Sequence, residues 1–113
     1  MSSRYDAIII GTGIIGGAIG LELAKRGSRT LNVDKLPAAG YGSTSNTCAI
    51  IRFHYSTAEG VAMARESYYY WLDWPKHIGA ADEKGMAHYV NTGCVVIKEE
   101  ENNYCRQVMA LLD

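Results

Sequence analysis

A glycine turn set between two apolar runs constrains this chain more than any other feature. Residues 5–16 read Tyr-Asp-Ala-Ile-Ile-Ile-Gly-Thr-Gly-Ile-Ile-Gly, and after a helical stretch comes Leu31-Asn32-Val33-Asp34-Lys35. The apolar run Ala7 to Ile10 enters a Gly11-x-Gly13-x-x-Gly16 turn, and residues 17–33 separate Gly16 from the acid Asp34. Each part has a physical job in a strand–helix–strand dinucleotide site. Gly11 permits the tight turn, Gly13 lacks a Cβ and lets a pyrophosphate approach the backbone, and Gly16 lets the helix lie close on the strand. The helix N-terminus offers free N–H groups and a partial positive charge to phosphates. Asp34 is placed to accept hydrogen bonds from a ribose diol. Glycines also collect in ordinary turns, so the spacing alone is a weak signal. Strand, turn, helix, second strand and terminal acid together make it a strong one.

The pattern predicts a strand over residues 5–10, a helix over about 13–26 and a second strand over 30–34. Ile15, Ala18, Ile19, Leu23 and Ala24 recur close to the helical repeat, while Gly16 and Gly20 share one face and favour close packing on the sheet. Gly27 is a fitting helix terminator. Residues 36–46 are small and turn-forming, a loop by composition. Ser56-Thr57-Ala58-Glu59 reads as a capping box with Ser56 as N-cap, opening a helix that Pro75 stops near Trp74. Its apolar side includes Val61, Ala64, Tyr68, Trp71 and Leu72, and the aromatic run between Tyr68 and Trp74 reads as a packed face with phenol tips at its rim. A glycine-rich loop spans 79–85. A third strand is expected over residues 89–97, bent at Gly93, then a solvated acidic turn at 99–101 and a last helix over 103–112.

With 113 residues the chain is one domain at most. Its net charge of −1, with scattered basic residues, gives no footprint for nucleic acid or an anionic membrane. No apolar stretch approaches the ~20 residues of a membrane span, and residues 1–5 show no leader pattern. The three cysteines, Cys48, Cys94 and Cys105, form no CxxC and read as free thiols of a cytoplasmic protein. His54, His77 and His88 do not cluster with acids or cysteines, so no metal site is expected. A doubly wound sheet needs several parallel strands. Only two adjacent ones are present, which leaves an apolar edge and makes the chain read as the front portion of a larger α/β protein.

Residues 42–55, Gly-Ser-Thr-Ser-Asn-Thr-Cys-Ala-Ile-Ile-Arg-Phe-His-Tyr, resemble the flavin-proximal stretch of the FAD-dependent amine oxidoreductases, the glycine, sarcosine and D-amino-acid oxidase-like enzymes. The glycine fingerprint with Asp34 is similar too, as is Thr92-Gly93-Cys94-Val95 to the family's later Thr-Gly-x-Val strand. The resemblance covers almost the whole chain but only the first part of a family member. It implies a Rossmann-like FAD/NAD(P)-binding βαβ unit, incomplete, over residues 1–85, and the first strand and helix of a substrate domain over 86–113. It further implies that Gly11, Thr12, Gly13, Ile14, Ile15 and Gly16 hold the FAD pyrophosphate. Asp34 and Lys35 would serve the adenosine ribose, and Gly42, Ser43 and Thr44 would meet phosphate or ribityl oxygens. Arg52 would pair with a substrate carboxylate, for which a guanidinium fork is apt. The chain departs from the sarcosine oxidases at Ser45 and Ala49, where they carry a histidine and a second arginine.

The activity implied is oxidation of a small-molecule amine or amino acid by hydride transfer to FAD, giving an imine. Two other readings fit the residues. One is a fragment of an NAD-dependent dehydrogenase, with Asp34 on the NAD ribose. The other is a non-catalytic dinucleotide-binding chain, truncated or completed by a second polypeptide.

Overall fold

In the computed structural model, which describes residues 4–97 and 103–112, the chain divides into two units, Met1–Ala49 and Ile50–Asp113. In the first unit, strand β1 (Ala7–Ile10), helix α1 (Ile14–Lys25) and strand β2 (Thr30–Val33) form a right-sized crossover for a parallel pair. Ala7 pairs with Thr30 and Ile10 with Val33, in parallel register. Asp6 lengthens the pairing: its N–H donates to the Arg29 carbonyl at 2.8 Å, and its carboxylate accepts from Arg29 N–H at 2.8 Å. Alternation along β1 turns Ile9 toward α1, where it is 9% exposed, and leaves Ile8 and Ile10 at 64% and 89% on the other face.

Helix α1 presents glycine to the sheet. Gly20 is its buried residue, and a Cβ there would sit 3.0 Å from the Asn32 side chain. Asn32 in turn donates from Nδ2 to the Gly16 carbonyl at 3.1 Å. Gly16 and Gly20 thus face the sheet as expected, while Ile15 and Ile19, apolar positions of the same helical repeat, are exposed. The backbones approach so closely that only the glycine row fits between them. The helix ends as expected at Gly27, whose φ is +81. Its N–H donates to Ala24 and that of Ser28 to Leu23, closing a Schellman motif.

The second unit holds helices α2 (Ala58–Leu72), α3 (Trp74–Ile78) and α4 (Asn103–Leu112). The N-cap of α2 is Thr57 rather than Ser56. Thr57 is extended, and its hydroxyl accepts the Gly60 N–H at 3.1 Å, so Glu59 falls at the second helical position and favours the helix by charge alone. Pro75 sits in the first turn of α3, the place where its missing N–H does no harm, so the helical run breaks at Asp73 and resumes. Val61 is buried on α2, and Tyr68 meets Phe53 and Tyr89 edge-on at centroid distances of 5.2 and 5.7 Å. Leu72, expected on the same side, is exposed.

Residues 89–97 do not form the expected strand. A strand is stabilised by the ladder it shares with a neighbour. Among the described residues only β1 and β2 pair, and Val95 and Ile97 each stand 86% exposed. The acidic run at 99–101 lies outside the described residues.

Candidate functional site

The site grows from the point where β1 stops. Gly11 N–H donates to the Val33 carbonyl at 2.7 Å, carrying the ladder one residue past the strand. The Gly11 φ of +106 then turns the chain into α1, in a backbone region that side chains disfavour. Gly16 is required for a different reason. A Cβ there would strike the Gly11 carbonyl, whose carbon lies 2.9 Å away, with Ile9 Cγ2 at 3.5 Å. Gly13 is the N-cap of α1, with an ordinary φ of −72, and a Cβ on it would lie 3.0 Å from Thr44 Oγ1.

Thr12 joins the turn to the acid. Its N–H and its hydroxyl both donate to Asp34 Oδ2, at 2.7 and 2.9 Å. Leu36 N–H donates to Asp34 Oδ1 at 2.9 Å. All three bonds favour the ionised carboxylate, so Asp34 titrates below the usual carboxylate range, with Leu36 as the largest cause and the Thr12 amide and hydroxyl next. The Thr12 carbonyl accepts from Gly40 N–H at 2.9 Å, which draws the following loop over the turn.

That loop carries a short 3-10 turn, Ser43–Asn46, with Gly42 as its N-cap. The Gly42 carbonyl accepts from Ser45 Oγ and Asn46 Nδ2, each at 3.1 Å. Thr44 Oγ1 accepts the Ile14 N–H at 3.0 Å and so caps a helix whose own N-cap, a glycine, has no side chain to do it. Ile15 and Lys35 are exposed beside these groups in sequence. The first unit thus brings Gly11, Thr12, Gly13, Ile14, Gly16, Asp34 and Thr44 together. Arg52 belongs to the second unit, exposed, with its guanidinium carbon 5.4 Å from the centre of the Tyr55 ring. Among the described residues no three His, Cys, Asp or Glu side chains gather in a metal-binding group.

Three participants escape a reading of the sequence alone. Asn32 supports α1 from below, Gly40 bonds Thr12, and Leu36 fixes the second Asp34 oxygen. Asn32 had a visible signal, a polar residue within an apolar strand at a position facing two glycines. The backbone donors of Gly40 and Leu36 had none, since any residue type supplies them.

A parallel strand–helix–strand unit with a glycine turn at the helix start and a carboxylate after the second strand defines a Rossmann-like dinucleotide-binding protein. The family model described as "FAD dependent oxidoreductase" matches residues 6–112, and the chain belongs to that family, whose cofactor is FAD. It is 38% identical over 78 residues to the monomeric sarcosine oxidase of Bacillus sp. (strain B-0618), covering 67% of this chain and 20% of the relative. It is 43% identical over 51 residues to the glycine oxidase of Geobacillus kaustophilus (strain HTA426), covering 45% of this chain and 13% of the relative. A probable sarcosine oxidase of Arabidopsis thaliana is 31% identical over 77 residues, covering 67% of this chain and 18% of that protein. The chain therefore spans about a fifth or less of the length of these curated relatives. No solved structure matches it significantly. No described helix is long and apolar enough to cross a membrane.

Proposed function

We propose that this chain supplies the N-terminal, adenine-dinucleotide-binding part of an enzyme that oxidises a small amine or amino acid with FAD. The observation that carries the reading is the joining of the glycine turn, Asp34 and Thr44 at one end of the βαβ unit. The turn suits a pyrophosphate: a glycine stands at position 13, and N–H groups of the first turn of α1 after Ile14 have no partner within the helix. Gly11, Thr12, Gly13, Ile14, Ile15 and Gly16 form the turn that receives the phosphates, with the Thr12 amide already given to Asp34 and the Ile14 amide to Thr44; Asp34 and Lys35 serve the ribose side, and Gly42, Ser43 and Thr44 close over them. FAD, when bound, supplies two-electron redox chemistry for the C–H bond beside the substrate amine, and water hydrolyses the resulting imine. Arg52 orients the substrate by pairing with its carboxylate, and the Tyr55 ring beside it limits where the guanidinium can go. Residues 1–85 are assigned to the cofactor domain and 86–113 to the beginning of the substrate domain. The relatives' names, sarcosine oxidase and glycine oxidase, support a small amino acid as the substrate class.

The test is flavin retention. The wild-type chain, mixed with FAD and passed through a desalting column, should keep flavin absorbance, and Gly13→Val should lose it. A variant that keeps as much flavin as the wild type would remove the glycine turn from the reading.

A further inference from the structure

Asp34 has two oxygens, and the chain treats them differently. A carboxylate oxygen offers two lone pairs. Oδ2 receives two donors from one residue, the Thr12 N–H at 2.7 Å and the Thr12 hydroxyl at 2.9 Å. Oδ1 receives the Leu36 N–H at 2.9 Å. The carboxylate of a dinucleotide site accepts hydrogen bonds from the adenosine ribose. Here Oδ2 takes two close donors from the protein and Oδ1 takes one, with the Lys35 amide adding the least of the hydrogen bonds to the carboxylate.

We infer that Thr12 is a positioning residue that commits Oδ2 of Asp34 to the protein, so that the ribose is read through Oδ1 and by a single hydroxyl. The inference rests on the dinucleotide-binding reading above. Thr12 is suited to this task because its amide and hydroxyl converge on one atom, which fixes the carboxylate plane as well as its place. The Thr12 carbonyl is itself held by Gly40 N–H at 2.9 Å, and Gly11 before it is held by Val33 at 2.7 Å, so the clamp is anchored on both sides. The hydroxyl is the one component a substitution can remove without touching the backbone bonds.

The experiment is a titration of the 113-residue chain with ADP, 2′-deoxy-ADP and 3′-deoxy-ADP, followed by calorimetry. ADP carries the ribose and both phosphates of the adenine half of FAD. In the wild type, deleting one of the two hydroxyls should weaken binding about tenfold, the worth of a hydrogen bond to a charged group, and deleting the other should leave it within about twofold. Thr12→Val opens a lone pair on Oδ2, so both deoxy ligands should then bind more weakly than ADP. Thr12→Ser restores the hydroxyl and should restore the one-sided pattern. Equal losses for the two deoxy ligands in the wild type, or a one-sided pattern unchanged in Thr12→Val, would overturn the inference while leaving dinucleotide binding intact. Absence of ADP binding by the wild type, with circular dichroism showing folded helices, would overturn the underlying reading together with the inference.

Discussion

Asp34 keeps its charge to lower pH in the folded chain than in the unfolded one, because Leu36 and then Thr12 donate to the ionised form. The benefit is complete above the unfolded carboxylate value, about 3.9, and disappears as pH falls through the lower folded value. The stability difference between wild type and Asp34→Asn should therefore be flat from neutral pH to about 5 and close below about 4, as urea titrations at a series of pH values would show. A gap that persisted in acid would mean that the bonds to Asp34 do not depend on its charge. Neighbouring glycines in α1 separate two kinds of demand in the same way. Gly16→Ala drives a Cβ into the Gly11 carbonyl, which is backbone and cannot turn aside, and should cost about 1–3 kcal/mol. Gly17→Ala meets nothing within 4 Å and should instead stabilise the helix by up to about 1 kcal/mol. Denaturant midpoints of the two variants should move in opposite directions.

Helix α2 gives a matching pair of expectations. Thr57→Ala removes the hydroxyl that accepts Gly60 N–H and should cost about 1 kcal/mol, whereas Ser56→Ala should stay within about 0.5 kcal/mol, both read from denaturation curves. The sequence showed that a helix starts here, because the capping residues and the stop at Pro75 are local signals. It did not distinguish two adjacent hydroxyl residues, since that choice depends on which one is extended when the helix begins. The βαβ unit was legible for the same reason: apolar runs, glycine spacing and the final acid are all encoded within a short stretch. The packed face of α1 was legible in part. The spacing of Gly16 and Gly20 marked the face that lies on the sheet, whereas hydrophobic periodicity also drew in Ile15 and Ile19, which are exposed. Residues 89–97 failed as a strand because alternation and β-branched content describe only one partner of a ladder. The link from Thr12 to Asp34 was equally hidden, because each residue had a separate role on its own and nothing in their spacing announces a hydrogen bond.

The chain as a whole leaves much apolar surface in water. Ile8 and Ile10 lie on the face of the sheet away from α1, Ile15 and Ile19 on the exposed side of α1, and among the described residues β1 has one unpaired edge. Such surface favours association. Sedimentation velocity should show the 113-residue chain growing larger with concentration, and Ile10→Lys should reduce the effect; a monomer at every concentration would show that these faces are protected. Against this open surface, the bonds of the proposed cofactor seat all lie within one segment, since every one of them connects residues between Gly11 and Thr44. A nucleotide seated there would tie the end of the first strand, the start of the helix and the following loop to one ligand. Such binding would stabilise the first unit by mass action, so that the ligand would act as a folding partner of that unit as well as its cargo.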